Sequence, residues 1–157
     1  MAPPVRTSRQ LWIDTGLDLL ATEGPGAVRV EVLAQRLGVT RGGFYRQFGG
    51  RAELVDAMLD AWEQRSTDDV RRRVEAEGGD AAGKARKAGM LTFAPDLLPI
   101  DLAVREWARR DAKVAARLRR VDNRRMDYLR ELISTLSGDA GDVEARAMLA
   151  FSLVIGD

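Results

Sequence analysis

The chain contains neither cysteine nor histidine among its 157 residues. Without cysteine there are no disulfides and no thiol chemistry, and nothing in the sequence requires an oxidising compartment. Without histidine the chain lacks the usual general base near neutral pH, and most transition-metal sites lose their ligands. We therefore predict no cofactor and no metal site.

Long apolar runs are also missing. No stretch approaches the ~18 apolar residues of a membrane span, and the N-terminal MAPPVRTSRQ has no apolar signal-peptide core. We expect a cytoplasmic protein without a membrane partner. Hydrophobic residues make up 45% and charged residues 31%, which is typical of a globular chain with one domain or a small domain packed on a larger one.

Sequence motifs of common enzyme classes are absent. There is no H-E-x-x-H, G-x-S-x-G or P-loop pattern, and the acidic residues are spread along surfaces rather than paired on an apolar face. The chain is therefore predicted not to be an enzyme. An all-helical enzyme that uses carboxylates stays as an alternative.

Residues 30–48, VEVLAQRLGVTRGGFYRQF, have the pattern of two short helices joined by a three-residue turn. Apolar residues recur at helical spacing in the first half. Gly38 predicts a C-terminal cap, because glycine takes positive φ without a Cβ clash. Thr40 predicts the start of the next helix, with its hydroxyl accepting a free backbone N–H.

The second helix of this pair, predicted at 41–47, has two different faces. Phe44 and Phe48 share an apolar face, whereas Arg41, Tyr45 and Arg46 fall on others. Two adjacent glycines cost a helix ~1 kcal/mol each relative to alanine, so the phenylalanines must hold it against neighbouring helices. A backbone without side chains can approach a phosphate or a base edge closely. An ordinary helical hairpin is the alternative interpretation.

Charge is unevenly distributed although the net charge is only +1. Residues 1–51 carry seven Arg against four acids, whereas residues 52–157 carry 18 Lys plus Arg against 20 acids. The basic excess therefore lies with the helix pair. It is modest, so DNA affinity would depend on the placement of a few arginines and on two copies of the motif.

One set of residues closely resembles the DNA-binding domain of TetR-type transcriptional regulators: Gly24, residues 30–34 and 37–42, Phe44, Tyr45, Phe48 and Leu54. The resemblance covers roughly residues 7–60 and continues more loosely to the end. It implies that the helix at 41–47 lies in the major groove of double-stranded DNA. It implies phosphate contacts from Thr40, Tyr45, Gln47 and Arg51, and contacts to bases or their flanking backbone from Arg41, Gly42 and Arg46.

Two positions depart from the family pattern. Arg29 stands where the family often has Ser or Thr, and Gly50 where it often has Asn, Asp or Ser. Both are helix N-cap positions, so weaker helix starts are expected. Arg29 is kept as a candidate phosphate contact, with a solvated arginine as the alternative. Arg6 and Arg9, near a predicted N-terminal arm, could likewise reach phosphates or belong to a solvated tail.

The predicted fold class is all-α, with a helix-turn-helix DNA-binding domain at 1–51 and a helical effector-binding and dimerisation domain at 52–157. A long fourth helix joins the two. Helices are predicted at 8–23, 30–37, 41–47, 51–77, 80–94, 97–110, 112–136 and 142–156. The arginine clusters at 117–125 alternate with acids, which predicts a solvated face.

The resemblance implies a small-molecule effector between helices of the second domain, and a repressor released from a pseudo-palindromic operator. The candidate pocket residues are Trp62, Met90, Thr92, Phe93, Leu98, Trp107, Asn123 and Met126, each of which could instead be plain core. The ligand would be largely apolar. A constitutive DNA-binding regulator with a filled core and no effector is the alternative.

Residues 147–155, AMLAFSLVI, contain only one polar residue and predict a subunit interface in a two-fold homodimer. The interface residues are predicted to be Met148, Phe151, Ser152 and Ile155. The resemblance implies one more helix in the interface, so we expect a missing C-terminal segment or a reduced dimer. Dimerisation would place two recognition helices ~34 Å apart, one turn of DNA.

Overall fold

The computed structural model describes residues 8–136 and 139–155, with the side chains of 152–155 left out of the description. All regular structure in these ranges is helical, which confirms the predicted all-α class. The elements are α1 Arg9–Glu23, a 3-10 turn Pro25–Ala27, α2 Val30–Leu37, α3 Arg41–Tyr45, α4 Arg51–Ser66, α5 Asp68–Glu77, α6 Ala81–Thr92, α7 Leu98–Ala108, α8 Ala112–Ser134 and α9 Ala140–Ile155.

The ends of the first helices follow the local signals in the sequence. Ser8 caps α1 by accepting the Leu11 N–H at 3.2 Å, and Gly38 ends α2 with φ 65°, as predicted. Thr40 stands at the start of α3, but its side chain makes no capping hydrogen bond. The predicted role of its hydroxyl is therefore wrong. The helix α3 is also shorter than predicted and ends at Tyr45.

The predicted fourth helix at 51–77 is wrong, because the chain breaks at Thr67 into α4 and α5. Thr67 has φ −124° and ψ −79°, far from helical values. Its N–H and its hydroxyl both donate to the Glu63 carbonyl, at 3.0 and 2.6 Å. The α4 helix packs on α1, whereas α5 packs on both α4 and α6. A bent pair of helices, not one straight rod, thus joins the two ends of the molecule.

One main core connects the N-terminal helices to the rest of the chain. It contains buried residues of α1 to α4 together with Ile100, Val104, Val114 and Val121 from α7 and α8. Two smaller clusters lie on the other side of α8, one with α5 and α6 and one with α9. The helix α8 therefore forms the wall between the main core and these clusters. The domain division at residue 51 stays a prediction.

None of the helices that the structure describes is both long enough and apolar enough to pass through a lipid bilayer.

Candidate nucleic-acid interface and ligand cavity

The helix α3 is fixed from behind by aromatic packing. Phe44 is fully buried, meets the edge of Trp12 at 5.4 Å between ring centroids, and stacks on Phe48 at 5.2 Å. A Cβ atom built on Gly43 would lie 3.7 Å from Trp12, so this glycine faces inward at ordinary contact distance. The predicted apolar face of α3 is therefore the one that packs.

Arg9 contacts the C-terminal end of the same helix pair. Its Nη1 donates to the Gln47 carbonyl at 3.0 Å, and its guanidinium lies 4.3 Å from the centre of the Phe48 ring. The open alternatives for Arg9 were a phosphate contact or a solvated tail, and the structure instead shows it capping the turn after α3. Arg6 lies outside the described residues.

Five predicted DNA contacts lie together on the outward side of α3, and we call them the α3 surface: Thr40, Arg41, Gly42, Tyr45 and Arg46. All five are exposed, and the Tyr45 side chain is 52% accessible. Arg41 forms an open ion pair with Glu31 at 3.4 Å. In the part of the chain that the structure describes, Arg46 has no ion-pair partner. The surface therefore presents two guanidinium groups, a phenol and a bare backbone to solvent.

The three other predicted contacts flank this surface. Gln47 is half-buried and follows α3, and Arg29 is exposed at the start of α2. Arg51 donates from Nε to the Val28 carbonyl at 2.6 Å and from Nη2 to the Pro25 carbonyl at 2.9 Å. Arg51 thus ties the start of α4 to the 3-10 turn, and its contact with phosphate stays a prediction.

A cavity of about 670 Å³ lies between α5, α6, α8 and α9. Three of the predicted pocket residues line it: Met90, Thr92 and Phe93. The other apolar lining residues are Val70, Ala85, Ala88, Leu129, Ala150 and Phe151. Its volume falls in the range of small-molecule sites, ~300–1,000 Å³.

The remaining five predicted pocket residues do not line this cavity, because helical periodicity does not say which core a side chain enters. Trp62 is fully buried in the main core, Trp107 packs against that core, and Met126 lies in the α8–α9 cluster. Leu98 is on α7, which does not border the cavity, and Asn123 is exposed beside a shallow depression on α8.

Most polar groups of the cavity wall already have partners. The Tyr128 hydroxyl donates to Glu75 at 2.8 Å, and burial together with this bond raises the pKa of Tyr128 well above its ordinary value. The Thr92 hydroxyl donates to the Ala88 carbonyl at 2.8 Å. By contrast, the buried Ser66 Oγ and Arg125 Nε have no hydrogen-bond partner among the described residues. Sequence reasoning missed both residues because neither is apolar.

The arginines of α8 do not form the solvated face that the sequence predicted. Arg120 reaches Glu63 of α4 at 2.6 Å, Arg117 reaches it at 3.2 Å and Arg124 at 3.9 Å. Glu63 is only 9% exposed. The hydrogen bond from Arg120 and the charges of all three arginines lower the pKa of Glu63, although burial opposes this shift.

A second network joins α7 to α8. The side chain of Arg125 is 8% exposed and lies 2.8 Å from Asp101 and 3.2 Å from Asp122. Arg105 reaches the same two acids at 2.9 and 2.7 Å. Two cations and two anions thus neutralise each other, which is how buried charges are normally accommodated.

The predicted interface residues on α9 have different surroundings. Met148 is 55% exposed, and its neighbour Leu149 is 62% exposed. Phe151 is only half-exposed, because it packs beside the α8–α9 cluster and lines the cavity. The side chains of Ser152 and Ile155 lie outside the description.

The fold and the α3 surface define a helix-turn-helix protein, and comparison with known proteins gives the same class. Residues 13–58 match the family model described as "Bacterial regulatory proteins, tetR family". A curated relative, the HTH-type transcriptional regulator TtgW of Pseudomonas putida, is 33% identical over 58 residues, which cover 37% of this chain. The match spans less than half of that relative, 43% of its length.

Solved structures agree over nearly the whole chain. A transcriptional regulator from Saccharomonospora viridis in complex with choline has a TM-score of 0.76 and 19% identity, covering 94% of this chain and 81% of that one. A transcriptional regulator from Rhodococcus sp. Rha1 has a TM-score of 0.73 and 21% identity, with coverages of 96% and 81%. At these identities the likeness shows the fold.

The chain therefore belongs to the TetR family, as its resemblance predicted. The relatives named above are regulators of transcription and not enzymes. The enzyme alternative is accordingly set aside.

Proposed function

We propose that the protein binds double-stranded DNA through the α3 surface and regulates transcription. In the fuller form of the proposal, it is a repressor that a small-molecule effector releases from a pseudo-palindromic operator. The observation that supports DNA binding is that the exposed side of α3 carries cations and a phenol while its other side is buried. Since bacterial DNA lies in the cytoplasm, the proposal places the protein there.

The chemistry of the α3 surface divides between positioning and reading. Arginine can form paired hydrogen bonds with a guanine edge in the major groove, so Arg41 and Arg46 are assigned to bases. The Tyr45 hydroxyl is assigned to phosphate, a contact that positions the protein without reading sequence. Gly42 has no side chain and lies open, which allows the α3 backbone to approach the DNA closely.

Two copies of the chain are proposed to act together. The exposed apolar pair Met148 and Leu149 on α9 supports a homodimer, because large exposed apolar groups are commonly covered at interfaces. A two-fold dimer would bring two α3 surfaces to successive major grooves, ~34 Å apart, and would select a pseudo-palindromic site.

Effector control is supported by the cavity. A constitutive DNA binder would need no cavity of about 670 Å³ in its second half, whereas an effector needs a site of this kind. The related regulator from S. viridis is in complex with choline. Linkage requires that an effector that weakens DNA binding is itself bound more weakly, by the same factor, when DNA is present.

DNA binding is tested with the double variant Tyr45→Ala, Arg46→Ala. A site would first be selected from random duplexes with the wild-type protein, and binding would be followed by fluorescence anisotropy. The double variant should lose about a hundredfold in affinity, because one base-reading fork and one phosphate contact are removed. Its thermal unfolding should be unchanged, since both side chains are exposed.

The matched control is Arg36→Ala, which removes an exposed arginine of α2 that is paired with Glu23. This variant should bind the selected site as the wild type does. A folded double variant that keeps full affinity would refute the assignment of the α3 surface. A selected site without two-fold symmetry would contradict the dimer but not that assignment.

A further inference from the structure

We propose that the effector of this protein is an apolar molecule with a carboxylate, and that Ser66 Oγ and Arg125 Nε bind the carboxylate. The inference rests on the proposed function in one respect, because it takes the cavity between α5, α6, α8 and α9 as the effector site. It adds the chemical class of the ligand and the two atoms that recognise it.

The first observation is that unpaired donors are concentrated at this cavity. Among the described residues, four buried side-chain polar atoms lack a hydrogen-bond partner, and two of them are Ser66 Oγ and Arg125 Nε. Both residues line the cavity. Buried donors are normally paired, so an unpaired one calls for an explanation such as a role in ligand binding. The hydroxyls of Thr67, Thr92 and Tyr128 on the same wall are all paired within the chain.

The second observation is the balance of charge around the cavity. Arg71, Arg86, Arg124 and Arg125 line it, whereas Asp68 is its one acidic lining residue and already pairs with Arg124. Within the described ranges, Arg86 has no ion-pair partner. A cationic ligand would therefore meet excess positive charge and no available carboxylate. An anion with an apolar body matches both the lining and the charge.

A carboxylate also fits the number of free donors. It has two oxygens and accepts several hydrogen bonds, whereas Ser66 Oγ and Arg125 Nε can each donate one. Charge-assisted hydrogen bonds of this kind are shorter and stronger than neutral ones.

The position of Ser66 connects this contact to the proposed switch. Both donor atoms are closed off from solvent in the described structure, so an acceptor reaches them only when the adjoining wall moves. Ser66 is the last residue of α4, directly before the break at Thr67. A ligand that binds better to the opened corner than to the closed one shifts the chain toward the opened form. The helix α4, which packs on α1, then transmits the change toward α3.

The test uses decanoate and decyltrimethylammonium, which share an apolar chain and differ in the charge of the head group. Binding to the full chain would be measured by isothermal titration calorimetry without DNA. Two variants are compared with the wild type: Ser66→Ala, which removes an unpaired hydroxyl, and Thr92→Val, which removes a hydroxyl of the same cavity that is already paired with Ala88.

We expect decanoate to bind the wild type with a Kd below about 1 mM and decyltrimethylammonium to bind at least about tenfold more weakly. The variant Ser66→Ala should weaken decanoate about tenfold, and Thr92→Val should leave its Kd unchanged. The melting temperature of ligand-free Ser66→Ala should equal or exceed that of the wild type, because an unpaired buried group is removed.

Equal or tighter binding of the ammonium compound would overturn the inference, as would an unchanged decanoate affinity in Ser66→Ala or no decanoate binding at all. These outcomes are independent of the DNA result, because no DNA is present. If decanoate binds as expected but leaves DNA affinity unchanged, the ligand class stands and the proposed release of DNA fails.

Discussion

The two ends of the molecule are held together by different forces. In the head, residues 8–50, the aromatic rings of Trp12, Phe44 and Phe48 pack in one continuous core. Its ion pairs, such as Arg36 with Glu23, lie on the exposed surface, where such pairs contribute little. In the rear half, residues 67–155, the buried Arg125–Asp101 pair and its neighbours hold α7 and α8 together around a cavity wall.

This difference separates a part built to keep one shape from a part that has room to change. Close-packed apolar side chains have few alternative arrangements, which suits a helix that must present fixed contacts to DNA. The rear half has smaller core clusters, a large cavity and a helix break at Thr67. A bistable element with few packed contacts is what a ligand can shift.

The largest expected effect is in the head. Trp12→Ala removes a fully buried ring that touches Phe44 and should lower the free energy of unfolding by about 3–5 kcal/mol. Urea denaturation followed by circular dichroism would measure it. The control Leu11→Ala truncates an exposed neighbour on the same helix and should change stability by less than ~0.5 kcal/mol. A loss below about 1 kcal/mol in Trp12→Ala would mean that aromatic packing does not hold the head.

An intermediate effect is expected where the halves meet, in Glu63→Gln. Its carboxylate receives Arg117, Arg120 and Arg124, and at about pH 7 its loss should cost about 1–2 kcal/mol, because the arginines are partly solvated. The pKa of folded Glu63 lies below its ordinary value of 4.5. The stabilisation is therefore present above that ordinary value and is lost as pH falls through the lower, folded pKa.

Denaturation of wild type and Glu63→Gln at a series of pH values checks the sign of this dependence. The two stabilities should converge as the pH is lowered. The control Glu106→Gln changes an exposed acid with only surface partners on its own side of the molecule and should stay within ~0.5 kcal/mol of wild type at about pH 7. A gap between wild type and Glu63→Gln that widens in acid would show that the carboxylate is not the stabilising partner.

The sequence predicted the head well because its signals are local. Positive φ at Gly38 follows from a glycine placed just after an apolar helical repeat, and the burial of Phe44 and Phe48 follows from their spacing of four. The capping role of Thr40 failed because a hydroxyl at an N-cap position has other orientations available to it. The confirmed family resemblance rests on the same short segment.

The rear half was predicted less well because its determinants are long-range. Arg120 and Glu63 are separated by 57 positions, so no spacing rule could pair them. The break at Thr67 has no Gly or Pro beside it to signal it. Helical periodicity correctly placed Trp62 and Met126 in the interior, but it cannot distinguish a filled core from a cavity wall.

The smallest change in stability, and the sharpest contrast between folding and function, is expected at the two glycines of α3. A Cβ atom on Gly42 meets only the Thr40 side chain at 3.7 Å, and one on Gly43 meets Trp12 at 3.7 Å. Neither contact is a clash, so Gly42→Ala and Gly43→Ala should each raise the free energy of unfolding by about 0.5–1 kcal/mol. Chemical denaturation would measure both.

Their DNA affinities should differ, because Gly42 is exposed on the α3 surface whereas Gly43 faces the core. A methyl group at Gly42 would separate the α3 backbone from the DNA and should weaken binding about tenfold, even though the protein is more stable. Gly43→Ala, the matched control, should bind the selected site as the wild type does. If both variants bind equally well, close backbone approach at Gly42 is wrong, and the glycine serves the fold rather than the DNA.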